Sequence, residues 1–538
     1  MGMGDTYFKS IKLILGLIVI STSILFAKVP TLQEINDMPQ SISKDYYIWR
    51  FLKEGNPTKE EALQAYNQIK RASYKLKKAI RKRVGYLPNQ NPKSPKDPKN
   101  YIIYPEVASK KSKKQLKRLY RRIKAQGKYS DVLKVMASNN PFEALKSVSP
   151  KTVCYIFNRS KSRYRKRYFN HALSKEQLQQ LVQEKQFNTT IFKIVTTHSL
   201  QKLKKSLLDT PISDNLSFKT TFLLGINAIE FNKIDKAIEY IQQAKNKATH
   251  QSEHDQSDFW LYLLTKDKGY LDNLAQSPQV NIYTLKARDI LNMPYPDVIT
   301  PNLGFHLVKY IDPYNPIDWE NIKIDMKNHP ETIEVQADNY KSFMTEGIYS
   351  YLKEKASDYQ EQYFAMPYFD AMFGKDKHRI ALLYAIGRQE SRFVPASIST
   401  SYALGMMQIM PFLIKHLAKQ RGESIDLDDM FNPYTAIDYA DQHLNYLNRF
   451  LYHPLFVAYA YNGGIGFTKR TIKSQHLFKR GKYEPYLSME LIDYQESKEY
   501  GKKVLANYVI YLNLLGIPTK VSTLLDNLDK PLETDKFR

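Results

Sequence analysis

Apolar and polar residues alternate with a helical period over the first two thirds of the chain. In residues 30–85 and 107–147, Leu, Ile and Tyr recur every three or four positions among charged residues, as on one face of a helix. Five prolines interrupt this pattern near residues 86–106, where a helix cannot continue. The pattern predicts an all-α region with a basic, Pro-rich insert.

Residues 217–248 have the small-residue spacing of a tetratricopeptide-like helix pair, with Gly225, Ala237 and Ala244 among larger apolar side chains. One such pair cannot bury its apolar face alone, so neighbouring pairs are expected to stack on it. We therefore predict an α-superhelical region over residues 28–365. An irregular helical bundle is the alternative, because no repeat period extends through the whole segment.

The first 27 residues resemble an export signal. Lys9 and Lys12 precede an apolar run from Leu13 to Phe26 that is short for a bilayer span, and Ala27 follows it. The pattern predicts a signal peptide over residues 1–27 and a periplasmic protein, with an uncleaved N-terminal anchor as the alternative.

Positive charge is concentrated in one segment. Residues 70–128 contain 21 Lys and Arg residues against Asp97 and Glu106, so this segment contributes +19 of the formal net charge of +26. Such a segment favours an anionic partner, and export argues against nucleic acid. We expect an anionic envelope surface as the partner, with a merely solvated helix face as the alternative.

Metal and redox chemistry have little support in the sequence. Cys154 is the only cysteine, which excludes an intramolecular disulfide and a four-cysteine metal site. His250 and His254 are four residues apart, but their neighbours are polar on every side. Nucleotide and zinc-protease motifs are missing from the sequence, so we expect no cofactor and no metal.

A nearly all-apolar helix is predicted from residue 380, and it ends at Arg388-Gln389-Glu390-Ser391. A carboxylate at the end of a buried helix is unusual, because burial disfavours its charged form and raises its pKa. A glutamic acid kept protonated in this way can act as a general acid. Taken alone, a structural glutamate at a helix end is the simpler interpretation.

Four short motifs follow in order: Glu390-Ser391-Arg392-Phe393, Gly405-Met406-Met407-Gln408, Ala460-Tyr461-Asn462, and Glu496-Ser497 with Tyr500. Together they resemble the E-S-x-F, G-L-M-Q, A-Y-N and E-[ST]-x-x-Y motifs of the soluble lytic murein transglycosylases. This resemblance implies a goose-lysozyme-like, mainly α-helical catalytic domain, which we place at residues 366–515, followed by a C-terminal tail at 516–538. It also implies an α-superhelical region before that domain, with residues 283–291 as the connector.

The resemblance implies a role for each matching position. Glu390 falls on the single catalytic acid/base and Ser391 on the residue that supports it. The remaining matches fall on the glycan-binding groove, at Gln408, Met410, Tyr461, Asn462, Glu496 and Tyr500. The chain departs from the family pattern where Tyr402 replaces a glycine, Met406 replaces a leucine, and Ala436 and Ala440 replace an asparagine and a glycine.

The expected reaction is cleavage of the β-1,4 bond between N-acetylmuramic acid and N-acetylglucosamine in peptidoglycan, with a 1,6-anhydromuramyl product. Most glycosidases use two carboxylates, whereas a single Glu390 would act as acid and then as base. The first alternative is a hydrolytic muramidase in which one of Asp426, Asp428, Asp429 or Glu496 positions a water. We otherwise expect the three aspartates to form a solvated loop. The second alternative is a helical scaffold that binds cell wall without cleaving it.

Overall fold

The computed structural model describes residues 29–88, 102–122, 128–306, 308 and 311–538 of the 538-residue chain. Within these ranges the regular structure is helical, and β-structure is limited to isolated bridges such as that between Leu404 and Ile409. The predicted all-α fold class is confirmed. The predicted signal peptide and most of the predicted insert lie outside the described residues.

Two compact units make up the described chain, and each is assembled from three stretches. The first unit contains the described residues up to 88 together with 303–349 and 390–440. The second unit contains the described residues of 90–302 together with 350–389 and 441–538. These units are defined by packing, and the domain boundaries at residues 365 and 515 stay a prediction.

The first unit joins the start of the chain to the segment that follows Glu390. Its helices are α1 (Leu32–Asp37), α2 (Ile42–Glu54), α3 (Lys59–Tyr66), α4 (Tyr74–Val84), α19 (Pro316–Asn328), α20 (Ile333–Asp338) and α23 (Pro411–Arg421). Side-chain caps begin several of these helices; Ser41, for example, accepts a hydrogen bond from the backbone N–H of Lys44.

The second unit contains most of the helices. They are α5 (Pro105–Ala108), α6 (Lys113–Arg122), α7 (Lys128–Ala137), α8 (Pro141–Leu145), α9 (Pro150–Arg159), α10 (Ser162–Tyr168), α11 (Lys175–Leu181), α12 (Phe187–Val195), α13 (Gln201–Ser206), α14 (Phe218–Glu230), α15 (Ile234–Lys245), α16 (Gln251–Thr265), α17 (Gly269–Gln276), α18 (Ile282–Leu291), α25 (Pro454–Gly463), α26 (Ile465–Ile472), α27 (Tyr486–Glu490), α28 (Gln495–Leu514), α29 (Val521–Leu525) and α30 (Pro531–Thr534). Three further helices include residues of both units: α21 (Glu346–Ala356), α22 (Lys377–Ser391) and α24 (Pro433–Asn448).

The predicted helix pair at residues 217–248 is present as α14 and α15. Gly225 on α14 allows their close approach, because a Cβ atom there would lie 2.6 Å from Cγ1 of Ile241 on α15. From α14 to α18, each helix packs against the next one along the chain. This order of packing is the one expected of stacked helix pairs.

The predicted connector is part of the packed second unit. Residues 283–291 lie in α18, where Tyr283 is 5% exposed and Leu285 is fully buried. Interpreting this stretch as a linker was wrong, because its apolar residues are spaced for packing on both α17 and α28. The predicted C-terminal tail is also packed, since Arg538 Nη1 donates a 3.1 Å hydrogen bond to the carbonyl oxygen of Phe478.

None of the helices in the described ranges is both long and apolar enough to cross a membrane.

Candidate active site

Helix α22 carries Glu390 in its last turn. Residues 380–388 of this helix are all buried, whereas Gln389 and Glu390 are half-buried. The change marks the point where the helix leaves the packed interior. Glu390 is therefore partly accessible on a helix that is otherwise fixed by its surroundings.

Arg388 fixes the end of α22 within the second unit. Its guanidinium is 4% exposed and donates hydrogen bonds to the Glu354 carboxylate, to the carbonyl oxygen of Tyr363 at 2.9 Å and to Oδ1 of Asn507 at 3.1 Å. It also lies 4.0 Å from the ring centroid of Phe364. A buried arginine satisfied on several sides orients its helix rigidly.

The chain turns sharply after Ser391 in the first unit. Arg392 and Phe393 both have positive φ values, 56° and 63°, which are costly for residues with side chains. Gly347 packs directly beneath this turn, because a Cβ atom there would lie 2.4 Å from the Phe393 carbonyl oxygen. The strained turn thus depends on a glycine more than forty residues earlier in the sequence.

Ser391 connects the end of α22 to the second motif. Its hydroxyl donates a 2.8 Å hydrogen bond to the carbonyl oxygen of Met406. Gly405 has a φ of 73°, and a Cβ atom at this position would lie 2.0 Å from the carbonyl oxygen of Met430. This glycine is required for both its backbone conformation and its close contact.

Gln408 is half-buried and holds the turn in which it lies. Its Nε2 donates to the carbonyl oxygen of Gly405 at 2.8 Å and to that of Ser397 at 3.0 Å. Its own φ is 49°, which these bonds help to maintain. Met410 follows as the half-buried N-cap residue of α23.

Tyr402 replaces a family glycine and still adopts the backbone conformation that favours glycine, with a φ of 60°. Its ring packs against Trp49 and Tyr46 of α2, with centroid distances of 5.6 and 5.9 Å. Its hydroxyl lies 3.3 Å from the hydroxyl of Ser73. Aromatic packing within the first unit therefore offsets the strain of this departure. Of the other three replacements, Ala436 and Ala440 are fully buried in α24 and Met406 is 1% exposed.

The third and fourth motifs meet in the second unit. Asn462, at the end of α25, accepts a 2.6 Å hydrogen bond at Oδ1 from the hydroxyl of Ser497 on α28. Its Nδ2 lies 3.5 Å from Oε1 of the exposed Glu496. Gly463 allows this approach, because a Cβ atom there would lie 2.5 Å from Ser497 Oγ.

Aromatic residues surround this polar group. The half-buried Tyr461 has its ring centroid 5.6 Å from that of His443. Tyr494 donates a 3.3 Å hydrogen bond to Oε2 of Glu496. Partial burial, and then the nearby Glu496 carboxylate, raise the pKa of Tyr494, so it remains a donor. Tyr500 is 5% exposed and packs inside the unit.

The aspartates after α23 hold the first unit together. Arg50 of α2 is 1% exposed and pairs with Asp426 at 2.6 Å and with Asp428 at 2.8 Å. Asp428 also accepts a 2.7 Å hydrogen bond from Tyr46. Burial raises the pKa of Asp428, while the charge of Arg50 opposes that shift. The prediction of a solvated loop was wrong for Asp426 and Asp428. Both pair with Arg50, which lies more than 370 residues earlier and could not be recognised as their partner from the sequence.

The structure groups the predicted site residues by unit. Glu390, Ser391, Gln408 and Met410 lie in the first unit, and Tyr461, Asn462, Glu496 and Tyr500 in the second. The sequence analysis missed Ser497 and Tyr494 as site residues. The serine of the E-[ST] motif was the available signal for Ser497, since a hydroxyl next to a motif carboxylate is a ready hydrogen-bond donor.

The described ranges hold no cluster of three or more His, Cys, Asp or Glu side chains suited to a metal ion.

A known protein family matches the C-terminal part of the chain. Residues 367–483 match the family model described as the transglycosylase SLT domain, and this range includes Glu390, Gln408, Tyr461 and Asn462. Residues 367–483 are thus similar to transglycosylase SLT domains. Glu496 and Tyr500 lie beyond the matched range.

The curated relatives that this chain matches are soluble lytic murein transglycosylases. The soluble lytic murein transglycosylase of Salmonella typhimurium is 30% identical over 173 residues, which cover 30% of this chain and 25% of the relative. That of Escherichia coli K12 is 27% identical over 210 residues, covering 37% of this chain and 31% of the relative. The aligned part thus spans between a quarter and a third of the relatives' length.

Solved structures of lytic transglycosylases align over most of the chain at low similarity. The lytic transglycosylase Slt of Pseudomonas aeruginosa aligns with 90% of this chain and 77% of its own, at 16% identity and a TM-score of 0.45. The 70 kDa soluble lytic transglycosylase Slt70 of Escherichia coli aligns with 92% and 84%, at 17% identity and a TM-score of 0.46. The all-α assignment rests on the helices described above.

Proposed function

We propose that this chain is a periplasmic peptidoglycan lytic transglycosylase. It cleaves the β-1,4 bond between N-acetylmuramic acid and N-acetylglucosamine and leaves a 1,6-anhydromuramyl end. The observation that carries the proposal is the presence of Glu390, at the partly accessible end of a helix buried over residues 380–388, inside the segment that matches the SLT domain. Curated relatives of the chain are named soluble lytic murein transglycosylases.

Glu390 acts first as a general acid in the proposed mechanism. It donates its proton to the glycosidic oxygen as the bond to C1 of the muramyl sugar breaks, and N-acetylglucosamine leaves as an alcohol. The 2-acetamido group of the muramyl sugar covers the positive charge that develops at C1. The half-buried position of Glu390 excludes part of the solvent, which strengthens this proton transfer.

Glu390 then acts as a general base. Its carboxylate takes the proton of the C6 hydroxyl of the same sugar, and that oxygen forms the new bond to C1. Water is not consumed, and the enzyme returns to its starting protonation state. Asn462 and Tyr461 supply polar groups to the glycan, and Ser497 orients the Asn462 amide.

Hydrolysis on the same fold is the main alternative. It needs a second carboxylate to position a water, and the environment of the aspartates argues against them. Asp426 and Asp428 are ion-paired with Arg50, and Asp429 accepts a 2.9 Å hydrogen bond from the backbone N–H of Asp426. The carboxylates of Asp426 and Asp428 are thus occupied by Arg50 rather than available to position a water.

Mass spectrometry of purified peptidoglycan digested by the full chain tests the proposal. We expect muramyl ends that are lighter by one water than reducing ends. Reducing ends would indicate the muramidase, and binding without any release of soluble fragments would indicate the non-catalytic scaffold.

We also propose that exposed cations of the basic segment hold the enzyme to an anionic envelope surface. On α6 only Leu116 is buried, while Arg118, Arg121 and Arg122 are exposed. Arg83 does not belong to this surface, because it donates hydrogen bonds to the carbonyl oxygens of Leu52 and Gly55. Arg83 instead holds α4 against the end of α2.

Sedimentation with intact cell wall tests this surface. Replacing Arg118, Arg121 and Arg122 with Gln is expected to weaken binding at low salt and to matter less as salt rises, since the Debye length shrinks from about 10 Å at 0.1 M to about 3 Å at 1 M. The control replaces three exposed lysines elsewhere in the second unit, Lys175, Lys185 and Lys202. Equal loss of binding in both triple variants would contradict a specific surface.

A further inference from the structure

A cavity of about 330 Å³ lies within the second unit, on the face of α28 that does not carry the glycan motifs. Gln495, Lys498, Glu499 and Lys502 line it, and their spacing of three and four residues places them on one side of the helix. The remaining walls come from the first turns of α14, α16 and α18 and from the end of α27.

Buried charges form the floor of this cavity. Glu490 is 1% exposed, and its Oε1 accepts hydrogen bonds from Tyr283 at 2.6 Å, Gln256 at 2.8 Å and Lys502 at 3.1 Å. Burial opposes ionisation, but the charges of Lys502 and Lys498 outweigh it and lower the pKa of Glu490. The floor therefore carries a fixed carboxylate between two lysines.

One oxygen of this carboxylate accepts no hydrogen bond from the described residues. Glu490 Oε2 is buried and lies 3.4 Å from Lys498 Nζ, without hydrogen-bond geometry. The hydroxyl of Tyr459, which is near the same charges, is also buried without a partner in the described chain. Glu490 Oε2 is therefore held by the ion pair with Lys498 and not by a hydrogen bond, so the floor of the cavity is charged but closed to solvent.

A second cavity of about 430 Å³ adjoins the first. The two share Phe218, Lys219 and Glu253 as lining residues, and the second extends to Asp214 and Lys247. Together they offer more volume than a single amino acid occupies. Pockets of several hundred Å³ are typical of small-molecule sites.

The lining combines both charge signs with apolar surface. Lys219, Lys498, Lys502 and Lys503 face Glu253, Glu490 and Glu499, and Phe218, Phe222 and Ile282 supply apolar walls. Three carboxylates disfavour a phosphate or nucleotide, and four lysines disfavour a metal ion. A ligand with separate ammonium and carboxylate groups along an extended backbone satisfies both sets of charges.

We propose that this cavity binds a short zwitterionic peptide, of the kind that forms the stem peptides of peptidoglycan. Ammonium or amide N–H groups of the peptide pair with the half-buried carboxylates of Glu253 and Glu499, and its carboxylates pair with Lys219 at the mouth. The identity of the peptide as a stem peptide rests on the proposed function, whereas the binding chemistry does not.

The site is connected to the glycan motifs through α28. Lys498 and Glu499 lie on the cavity side of its first turns, and Ser497 contacts Asn462 from the other side. Gly501 packs against Tyr459 of α25, where a Cβ atom would lie 2.1 Å from its ring. A peptide in the cavity would therefore steady the helix that orients Asn462.

Isothermal titration of the full chain with the tripeptide L-Ala–γ-D-Glu–meso-diaminopimelate tests the proposal. Lys219→Glu reverses a charge at the mouth, and Ser252→Trp fills the mouth from an exposed position. We expect each variant to weaken binding at least about tenfold, which corresponds to about 1.4 kcal/mol. Lys175→Glu is the matched control, because it is also an exposed lysine in the first turn of a helix but lies outside both cavities.

Saturable binding that both cavity variants weaken and the control does not would support the site. The absence of binding at millimolar tripeptide, or equal binding by all variants, would overturn it. If one variant fails to fold by circular dichroism, the other decides. Cleavage of peptide-free glycan, measured in parallel, separates the two proposals: a wild-type protein that binds tripeptide but never cleaves glycan would contradict the proposed function and leave the peptide site standing.

Discussion

The hydroxyl of Ser497 donates a 2.6 Å hydrogen bond to Oδ1 of Asn462 and thereby joins the first turn of α28 to the last turn of α25. Because the amide oxygen faces Ser497, the amide nitrogen is directed towards Glu496, 3.5 Å away. This contact explains why the E-[ST] pair follows the A-Y-N motif: the hydroxyl sets the orientation of the asparagine.

Ser497→Ala is expected to reduce kcat about five- to tenfold with little change in KM, since one hydrogen bond contributes about 1 kcal/mol. Steady-state turnover of peptidoglycan fragments provides the measurement. Ser497→Thr keeps the hydroxyl and is the matched control, with activity close to wild type. If Ala and Thr variants behave alike, the hydroxyl does not orient Asn462.

Substituting two glycines of the first unit distinguishes the cost of backbone strain from the cost of a steric clash. Gly405 and Gly422 have nearly equal φ values of 73° and 70°, but only at Gly405 would a Cβ atom meet the backbone, 2.0 Å from the carbonyl oxygen of Met430. Gly422→Ala is expected to lower the free energy of unfolding by about 1 kcal/mol, the cost of a left-handed residue. Gly405→Ala should cost about 3 kcal/mol or more. Urea unfolding measures both, and equal losses would contradict the close contact.

Substitution of Asp428 tests whether the aspartates after α23 have a structural role. Asp428→Asn removes one of the charges around the buried Arg50 and is expected to lower the free energy of unfolding by about 1–3 kcal/mol. Turnover should stay within about tenfold of wild type. Asp438→Asn, which breaks the pair between the exposed Asp438 and the half-buried Arg421, should cost less than about 1 kcal/mol. A stable Asp428→Asn protein that has lost activity would favour the hydrolytic alternative.

The buried His453 makes the stability of the fold depend on pH. It is buried at the start of α25, where its Nε2 lies 2.9 Å from the carbonyl oxygen of Leu524. Burial lowers its pKa from 6.5 to about 4. Between these two values the unfolded chain binds more protons than the folded chain, so stability falls as the pH drops from 6.5 to 4, by up to about 3 kcal/mol.

Urea unfolding at pH 7 and pH 5 measures this effect. His453→Gln removes the titrating group, so its loss of stability between the two pH values should be smaller than that of wild type. The same loss in both proteins would show that other groups cause the acid sensitivity.

Much of the local structure could be predicted from the sequence, because its causes are local. The pair α14 and α15 follows from small residues at helical spacing. Glu390 was identifiable because four motifs occur in order. The ion pairs of Arg50 with Asp426 and Asp428 were not predictable, since they join residues more than 370 positions apart.

The conformation of Tyr402 shows the same limit. A tyrosine with positive φ is improbable from local preference alone, and its stability depends on Trp49 and Tyr46, which come from the start of the chain. Residues 283–291 were misinterpreted because a short apolar helix and a linker look alike when the packing partners are unknown.

The rate of anhydromuramyl product formation by Glu390→Gln tests the central claim most directly. Gln keeps the shape of the side chain but cannot donate and recover a proton, so the account predicts at least about a hundredfold lower rate with glycan binding and thermal unfolding unchanged. Glu496→Gln, the control at the exposed motif carboxylate, should still form the anhydro product. A Glu390→Gln enzyme that releases anhydromuramyl ends within about tenfold of the wild-type rate would contradict the assignment of Glu390 as the acid/base.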